Sequence, residues 1–283
     1  KNEVSISSAL LSLRETQDTA KSSGAITTPW GGINNLLGPL QGGDLVVVSA
    51  KTGTGKTTWC LQIAWEMALS NMPVLFYCLE MRPERLAMKV TQGYFGLTEL
   101  EVTPEQVEEA SYLFGDLPLY FGHSFDKPHI DEVVATIQDA VKRFALKMVV
   151  FDNLHYLCRE MENRAHEVGN ITRRFKLLAE SLAVPIFLIV QPRRMERERP
   201  PTVDDFKDSS SIGDDADWAV ILYRKPIKGE GGQLAEQTLD ARTLVRLEKG
   251  RFGGGGERLL HFDGAKSRFR ELVRVGALDV PSR

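Results

Sequence analysis

Apolar runs of strand length alternate with helical stretches from residue 44 onward. Five such runs are found, at 45–49, 74–79, 148–151, 184–190 and 218–223. A helical stretch at 57–69 follows the first run. This alternation is typical of βαβ units, in which a mostly parallel sheet is covered by helices on both faces. The pattern therefore predicts an α/β fold with five core strands.

The alternation breaks between residues 93 and 130 into pieces punctuated by Pro and Gly. Two helices are predicted in or beside this region, at 104–114 and 129–144, and we interpret it as insertions between core strands. The end of the chain, 242–273, alternates short strands with turns. Four consecutive glycines at 253–256 predict a loop there.

The first 21 residues predict a short amphipathic helix on a linker, because Ile6, Leu10 and Leu13 recur at helical spacing. Such a helix lies on its own domain or docks on a neighbouring subunit, and the sequence favours neither. We divide the chain into this linker and docking helix at 1–23, one large domain at 24–275 and a C-terminal tail at 276–283.

Composition sets broad limits on function. The 283 residues are 42% hydrophobic, but no apolar run is long enough to span a bilayer and the N-terminus does not resemble a secretory signal. Cys60, Cys78 and Cys158 lack the spacing of a zinc site, so we expect three buried free thiols. The net charge of -3 means that nucleic-acid binding would depend on local basic surfaces. We expect a cytoplasmic protein without a membrane partner.

The strongest chemical signal is a glycine-rich loop between the first strand and its helix. Residues 50–57 match the Walker A pattern with Ala50 in the first Gly position. The glycines let backbone N–H groups face phosphates, Lys56 reaches the β- and γ-phosphates, and Thr57 coordinates Mg²⁺. The predicted nucleotide-binding residues are Lys51, Thr52, Gly53, Thr54, Gly55, Lys56, Thr57 and Thr58. We therefore expect ATP and Mg²⁺ as cofactors.

Three polar residues follow other predicted strands, at the sheet edge where open α/β sheets bind ligands. Asp152 suits a Mg²⁺ ligand, although a capping Asp at the end of a buried strand would look the same. Glu80 suits a general base for the attacking water, or is a capping or solvated carboxylate. Gln191 suits a sensor of the γ-phosphate, or merely ends its strand.

Basic residues occur in two places that suit a charged partner. A mixed-charge loop after Gln191 contains Arg193, Arg194, Arg197 and Arg199. This loop is solvated surface or contacts a phosphate backbone. Lys249 and Arg251 follow a short strand and point to one side of it. If that edge faces a neighbour's nucleotide, Arg251 is an arginine finger; otherwise it is an exposed strand-end arginine.

Together these segments resemble the ATPase domain of the DnaB-type replicative hexameric helicases, a RecA-like P-loop NTPase family that includes phage helicase-primases. The resemblance covers about residues 24–269. Besides the Walker segments it rests on 40–45 (LQGGDL), 78–81 (CLEM), 208–217 (DSSSIGDDAD), 249–251 (KGR) and 262–264 (FDG). It implies a RecA-like core with a mostly parallel central sheet flanked by helices, followed by short C-terminal β-strands.

The resemblance also implies roles for the candidate catalytic residues. Glu80 matches the catalytic base of the family, and Gln191 matches its γ-phosphate sensor. Arg251 matches the finger inserted from the next subunit, and Lys249 would assist it. The family's usual Gln-Leu-Asn-Arg is here Gln-Pro-Arg-Arg at 191–194, so the geometry of the adjoining loop is expected to differ.

Further contacts to nucleotide and DNA follow from the same resemblance. Arg224 would pack on the nucleotide base, with Phe262 nearby. Loops facing the central channel of such rings bind one DNA strand along its backbone, and they correspond to 159–173 and 193–214. Within them Arg194 and Lys207 are the predicted DNA-binding residues.

We interpret the chain as an ATP-dependent DNA helicase motor that moves on single-stranded DNA and unwinds duplex at a replication fork. The expected partners are single-stranded DNA, further copies of itself in a ring, with a hexamer expected, and primase or other replisome proteins in a bacterial or phage-infected cell. The alternatives are a RecA- or RadA-like recombinase ATPase and a non-motor, ATP-switched adaptor or helicase loader. Since the chain begins at what resembles the linker, we expect a fragment of a longer protein or a minimal phage-like form.

Overall fold

The structure is a computed structural model that describes Ile6 and residues 26–159, 164–192, 199–205, 211–227, 239–250, 255–275 and 278–281. The described helices are α1 (Gly31–Leu37), α2 (Lys56–Leu69), α3 (Pro83–Phe95), α4 (Pro104–Phe114), α5 (Ile130–Phe144), α6 (Arg164–Leu182) and α7 (Ser211–Asp215). The first five strands are β1 (Leu45–Ser49), β2 (Val74–Cys78), β3 (Leu119–Gly122), β4 (Met148–Asp152) and β5 (Ile186–Val190). The remaining strands are β6 (Trp218–Pro226), β7 (Leu239–Lys249), β8 (Gly256–Asp263), β9 (Arg268–Val275) and β10 (Leu278–Pro281).

The strands form one sheet in the order β10-β9-β8-β7-β6-β1-β5-β4-β2-β3. All pairings from β6 through β1, β5, β4 and β2 to β3 are parallel, and those from β6 to β10 are antiparallel. The predicted α/β class, with a mostly parallel core sheet and C-terminal β-strands, is confirmed. The carboxyl ends of the parallel strands consequently lie at one edge, which we call the carboxyl edge.

Successive residues of β1 pack into two separate cores on opposite faces of the sheet. Val46 and Val48 pack in the core that contains residues of α2, such as Trp59 and Ile63. Leu45 and Val47 pack in the core that contains residues of α6, such as Phe175 and Leu178. The run 45–49 is therefore apolar throughout, because helices cover both faces of the strand.

The predicted helices 57–69, 104–114 and 129–144 are confirmed to within one residue. At α4, the Thr103 side chain accepts a hydrogen bond from the Gln106 N–H, and the Gln106 side chain accepts one from the Thr103 N–H. Pro104 occupies the first helical position, where a missing N–H costs nothing. These local signals explain why the boundary of this helix could be predicted.

Several predicted boundaries are wrong for identifiable reasons. The fourth predicted run starts at 184, but β5 starts at Ile186 because the Val184 N–H still closes the end of α6 on Ala179 O. Gly256, predicted in a loop, begins β8 and pairs with Leu247. The segment 159–173, predicted as a channel loop, is helical from Arg164 onward. Strand β3 was not predicted, because its four residues are only half buried and lie at the sheet edge.

The C-terminal end contains a strand that was not predicted, whereas the predicted N-terminal helix lies almost entirely outside the described residues. Within the tail 276–283, Leu278–Pro281 form β10 and pair antiparallel with β9. Of the predicted N-terminal helix only Ile6 is described; it is helical and exposed, and Leu10 and Leu13 lie outside the described residues. Cys60, Cys78 and Cys158 are buried free thiols as predicted. None of the described helices combines the length and apolar character that crossing a membrane requires.

Candidate nucleotide site

The glycine-rich loop joins β1 to α2 at the carboxyl edge. Gly53 and Gly55 adopt φ values of 80° and 103°, which favour glycine. A Cβ atom on Gly55 would lie 2.8 Å from Phe269 Cζ and 2.9 Å from Phe262 Cζ. The site therefore excludes any larger residue at position 55, both by backbone conformation and by contact.

The side chain of Lys56 folds back into the glycine-rich loop that precedes it. Its Nζ donates to Ala50 O at 2.7 Å and to Lys51 O at 3.3 Å, and the residue is buried. Burial lowers the pKa of Lys56, and the nearby carboxylates of Asp152 and Glu80 oppose that shift. An ammonium group held by backbone carbonyls at this point suits binding of a phosphate.

The other predicted loop residues divide into exposed and buried members. Lys51, Thr52 and Gly53 are exposed, whereas Thr54 and Thr58 are buried. The Thr54 N–H donates to Lys51 O at 3.2 Å, which closes the turn. The exposed part of the loop is thus the part that a phosphate could approach.

Asp152, the last residue of β4, meets Thr57 at the start of α2. Thr57 Oγ1 donates to Asp152 Oδ2 at 2.6 Å. Burial raises the pKa of Asp152 to about 6; the hydrogen bond from Thr57 opposes the shift, and the charge of Glu80 adds to it. Within the described ranges, Asp152 Oδ1 has no hydrogen-bond partner although it is buried. An unpaired carboxylate oxygen beside a hydroxyl is the donor set that a Mg²⁺ ion accepts.

The described residues contain no group of three or more His, Cys, Asp or Glu side chains that could hold a metal ion on its own. A cation at Thr57 and Asp152 would therefore complete its shell with phosphate and water oxygens. This is the usual situation for Mg²⁺ in nucleotide sites. The residues present fit the predicted cofactor pair of ATP and Mg²⁺.

Glu80 lies beside Asp152 because β2 and β4 are neighbours in the sheet. The Leu79 N–H donates to Asp152 O at 2.7 Å, just after the last paired residues, Cys78 and Asp152. Glu80 itself is exposed, and its Oε2 accepts a hydrogen bond from Asn153 Nδ2 at 2.9 Å. The structure thus brings Glu80 to the same edge as the loop, as the sequence predicted.

Gln191 follows β5 at this edge and is half buried. Its backbone N–H donates to His155 Nδ1 at 3.4 Å. A cavity of about 550 Å³ adjoins it, lined in part by Leu79, Asn153 and His155. The position suits a residue that contacts the distal end of a nucleotide held by the loop.

Arg224, near the end of β6, is fixed beside the loop by backbone carbonyls. Its guanidinium donates to Asp240 O at 2.7 Å, to Gly53 O at 3.1 Å and to Leu239 O at 3.1 Å. Arg224 Cζ lies 5.0 Å from the ring centroid of Phe262, which stacks on Phe269 at 4.3 Å. Both residues predicted to lie near the nucleotide base therefore sit beside the loop, although Arg224 stacks on Phe262.

Lys249 lies at the opposite edge of the sheet. It pairs with Ala219 on β6, five residues before Arg224, and this corresponds to about 17 Å along an extended strand. Its Nζ donates to Gly213 O at 2.8 Å and to Asp214 O at 3.2 Å. Lys249 is thus far from the phosphate loop of its own chain. The predicted finger Arg251 and the predicted DNA contacts Arg194 and Lys207 lie outside the described residues.

Three residues near the site were not singled out from the sequence. Asn153 follows the predicted metal ligand directly and holds Glu80; His155 accepts from Gln191; Phe269 packs against Gly55. The only local signal was the polar Asn153 next to Asp152, because the other contacts depend on which strands are neighbours.

Comparison with known proteins identifies what the chain resembles. The family profile of the DnaB-like helicase C-terminal domain matches residues 25–271. The replicative DNA helicase DnaB of Leifsonia xyli is 27% identical over 259 residues, which are 86% of this chain and 55% of that protein. The replicative DNA helicase DnaB of Geobacillus stearothermophilus is 30% identical over 213 residues, covering 70% of this chain and 47% of that protein. The chain thus spans about half the length of the curated relatives it matches.

Solved structures share the fold at lower sequence identity. One described as an ATPase domain has a TM-score of 0.79 at 18% identity and covers 96% of this chain and 100% of its own. A DnaB-like replicative helicase studied for its interactions with primase has a TM-score of 0.76 at 19% identity and covers 96% and 68%.

Proposed function

The chain belongs to the DnaB-like helicase C-terminal domain family, and on that premise we propose that it is the ATP-driven motor domain of a replicative DNA helicase. The predicted resemblance is thereby confirmed, and family membership implies use of a nucleotide. One observation carries the proposal: Lys56, Thr57, Asp152 and Glu80 meet at the carboxyl edge, with Asp152 Oδ2 2.6 Å from Thr57 Oγ1.

The residues around the loop can divide the work of ATP hydrolysis. Lys56 binds the β- and γ-phosphates, and Thr57 with Asp152 holds the cation. When bound, Mg²⁺ supplies positive charge that stabilises negative charge developing on the phosphates. Glu80 takes the proton of the attacking water, and Gln191 contacts the γ-phosphate and responds to its loss.

The position of Lys249 supports an active site shared between subunits. Because Lys249 lies at the edge opposite its own loop, it can assist hydrolysis only at the nucleotide of another chain. Arg251, two residues later, would then be the arginine finger of that neighbouring site. In a head-to-tail ring every interface carries one such site, so we propose a homo-oligomeric ring, a hexamer by family resemblance.

Single-stranded DNA is the proposed track of this motor. Arg194 and Lys207 are the proposed contacts, and binding through the DNA backbone would be tolerant of sequence and sensitive to salt. A DnaB-like relative of known structure interacts with primase, and we propose primase or another replisome protein as a partner. A recombinase would share the fold, but the family profile and the curated relatives favour the helicase.

The test is ATP turnover with and without single-stranded DNA, followed by strand displacement on a forked duplex. We expect DNA to stimulate turnover and ATP to drive unwinding, and Lys56→Ala to abolish both. ATP binding without DNA-stimulated turnover would overturn the motor in favour of an adaptor. Stimulated turnover on filaments without unwinding would favour a recombinase.

A further inference from the structure

A chain of hydrogen bonds runs from the proposed general base to the proposed phosphate sensor. Asn153 Nδ2 donates to Glu80 Oε2 at 2.9 Å, and Asn153 Oδ1 accepts from the His155 N–H at 3.1 Å. His155 Nδ1 in turn accepts from the Gln191 N–H at 3.4 Å. Three strand ends, those of β2, β4 and β5, are thereby joined at the carboxyl edge.

The members of this chain differ in how firmly the fold holds them. Asn153 is completely buried and caps the 3-10 turn Leu154–Tyr156, and His155 is buried within that turn. Glu80 lies beyond the end of β2 and is exposed. The exposed Glu80 side chain is flexible by itself, but its hydrogen bond to the buried Asn153 amide restricts the positions that its carboxylate can take.

The geometry leaves the base able to act. Asn153 donates to Oε2, and none of the described residues donates to Oε1. Oε1 of Glu80 can therefore accept a water molecule, and the proton of that water would pass to the carboxylate. A misplacement of about 1 Å at a reacting group can cost about 10²-fold in rate, so the placement of this carboxylate matters.

We propose that Asn153 is the positioning residue for Glu80, and that His155 ties this arrangement to Gln191. The base and the phosphate sensor are then held in one register by the turn Leu154–Tyr156 that lies between their strands. The inference rests on the proposed ATP hydrolysis with Glu80 as base. It concerns placement, so it affects kcat and leaves nucleotide binding in place.

Two substitutions at Asn153 separate its hydrogen bond to Glu80 from the hydrogen bond that caps the 3-10 turn. Asn153→Ser retains a hydroxyl that can cap the turn but is too short to reach Glu80. Asn153→Asp retains the cap and presents a like charge to Glu80. We expect kcat for ATP to fall about 10- to 100-fold in both variants, while KM and the affinity for a fluorescent ATP analogue change less than about 2-fold. Full activity in Asn153→Ser would overturn the proposal.

A double-mutant cycle with Glu80→Gln distinguishes placement of the base from a general structural role. If Asn153 acts through Glu80, Asn153→Ser should not lower further the residual single-turnover rate of Glu80→Gln. An equal loss in both backgrounds would overturn the positioning role and leave the function of Glu80 intact. Near-normal turnover in Glu80→Gln alone would instead overturn the proposed base.

The link to Gln191 is tested at His155. His155→Asn keeps an acceptor near the position of Nδ1, whereas His155→Leu removes it. We expect His155→Asn to retain at least about 5-fold more turnover than His155→Leu. The control is His129→Leu: His129 also accepts a backbone N–H at 3.4 Å, from Asp131, but it caps the exposed start of α5. Equal turnover in the two His155 variants would overturn the link.

Discussion

In the parallel half of the sheet, β1, β2, β4 and β5 are buried along their whole length. In the antiparallel half, buried and more exposed residues alternate from Thr243 to Leu247 on β7. The two halves also place their polar groups differently. The parallel strands bring Asp152, Glu80 and Gln191 to one edge. The antiparallel strands reach both edges, with Arg224 beside the loop and Lys249 at the far side.

This difference follows from strand direction. Parallel strands all end at the same edge, so side chains that follow them converge on one site within the chain. When β6 turns back into β7, the chain is carried from the phosphate loop to the opposite edge. The fold therefore suits a protein that presents both a nucleotide site and a group for the nucleotide of a neighbour.

Substitution of Arg251 tests this difference between the two halves most directly, and we expect the largest effect there. Arg251→Ala should lower ATP turnover by about 10³-fold or more while ATP binding remains, because arginine fingers contribute about that much to the rate. Mixing Arg251→Ala with Lys56→Ala chains should then restore turnover. In a randomly mixed ring about a quarter of the interfaces pair an intact loop with an intact finger.

The mixing experiment can also contradict a site shared between subunits. If the mixture is no more active than either variant alone, although light scattering and subunit exchange show mixed rings, Arg251 does not act across an interface. Near-normal turnover in Arg251→Ala itself would remove the finger altogether. In either case the carboxyl edge would have to supply the whole catalytic apparatus from one chain.

A second substitution tests the fit of the two halves at Gly55. Gly55→Ala should weaken ATP binding by about 100-fold, because a Cβ atom would meet Phe262 and Phe269 at under 3 Å and the φ of 103° is strained. Gly96→Ala is the matched control. Gly96 also has a positive φ, of 68°, but nothing lies within 4 Å of its Cβ position.

Isothermal calorimetry with a nonhydrolysable ATP analogue measures the nucleotide affinity of each variant, and urea unfolding measures its free energy of unfolding. Both variants should lose about 1–2 kcal/mol of stability from the left-handed backbone. Only Gly55→Ala should lose affinity as well. If both variants bind equally well, the aromatic pair of the antiparallel half does not constrain the loop.

The parts of this site that could be predicted are those encoded within a few consecutive residues. The loop has its glycines, Lys56 and Thr57 within eight positions, and Asp152 directly follows an apolar run. The grip of Asn153 on Glu80 could not be predicted, since it requires β4 to lie beside β2. Along the chain β3 comes between them, but in the sheet it lies outside β2.

The same dependence on strand pairing explains why the position of Lys249 in the antiparallel half could not be predicted. The spacing of Lys249 and Arg251 predicted that they point to one side of a strand, but not at which edge that strand ends. The edge is decided by the pairing of Lys249 with Ala219, which depends on the full length of β6 and β7. Strand β6 runs to Pro226, three residues beyond the predicted run, and this extension brings Arg224 to the loop.

The third prediction concerns the cost of burying Asp152 in the parallel half. Its pKa is raised by burial from 3.8 to about 6, so the folded state holds the proton more tightly than the unfolded chain. This stabilisation is present below about pH 4 and is lost as the pH rises through 6. Asp152→Asn is neutral at every pH. In the absence of Mg²⁺, the free energy of unfolding of this variant should therefore exceed that of the wild type by about 1–3 kcal/mol at pH 7.5.

Urea unfolding in EDTA at several pH values checks this expectation, and the two proteins should converge near pH 4. The variant should also lose Mg²⁺-dependent ATP turnover, as expected where a functional group is kept at the expense of stability. A stability difference that does not change between pH 4 and pH 7.5 would show that the buried carboxylate carries no such penalty.

The smallest expected effect is at Arg224, where the antiparallel half meets the loop. Arg224→Lys should raise KM for ATP by about 5- to 10-fold, because the three N–H groups of an ammonium share one nitrogen and cannot reach the three carbonyls that the planar guanidinium bridges. Arg242→Lys is the control, since its side chain is 64% exposed and pairs with Asp240 at the surface. If Arg224→Lys leaves KM unchanged as the control should, Arg224 only braces β6 against β7. Among the described residues, the antiparallel half would then contribute to the nucleotide site of its own chain through Phe262 and Phe269 only.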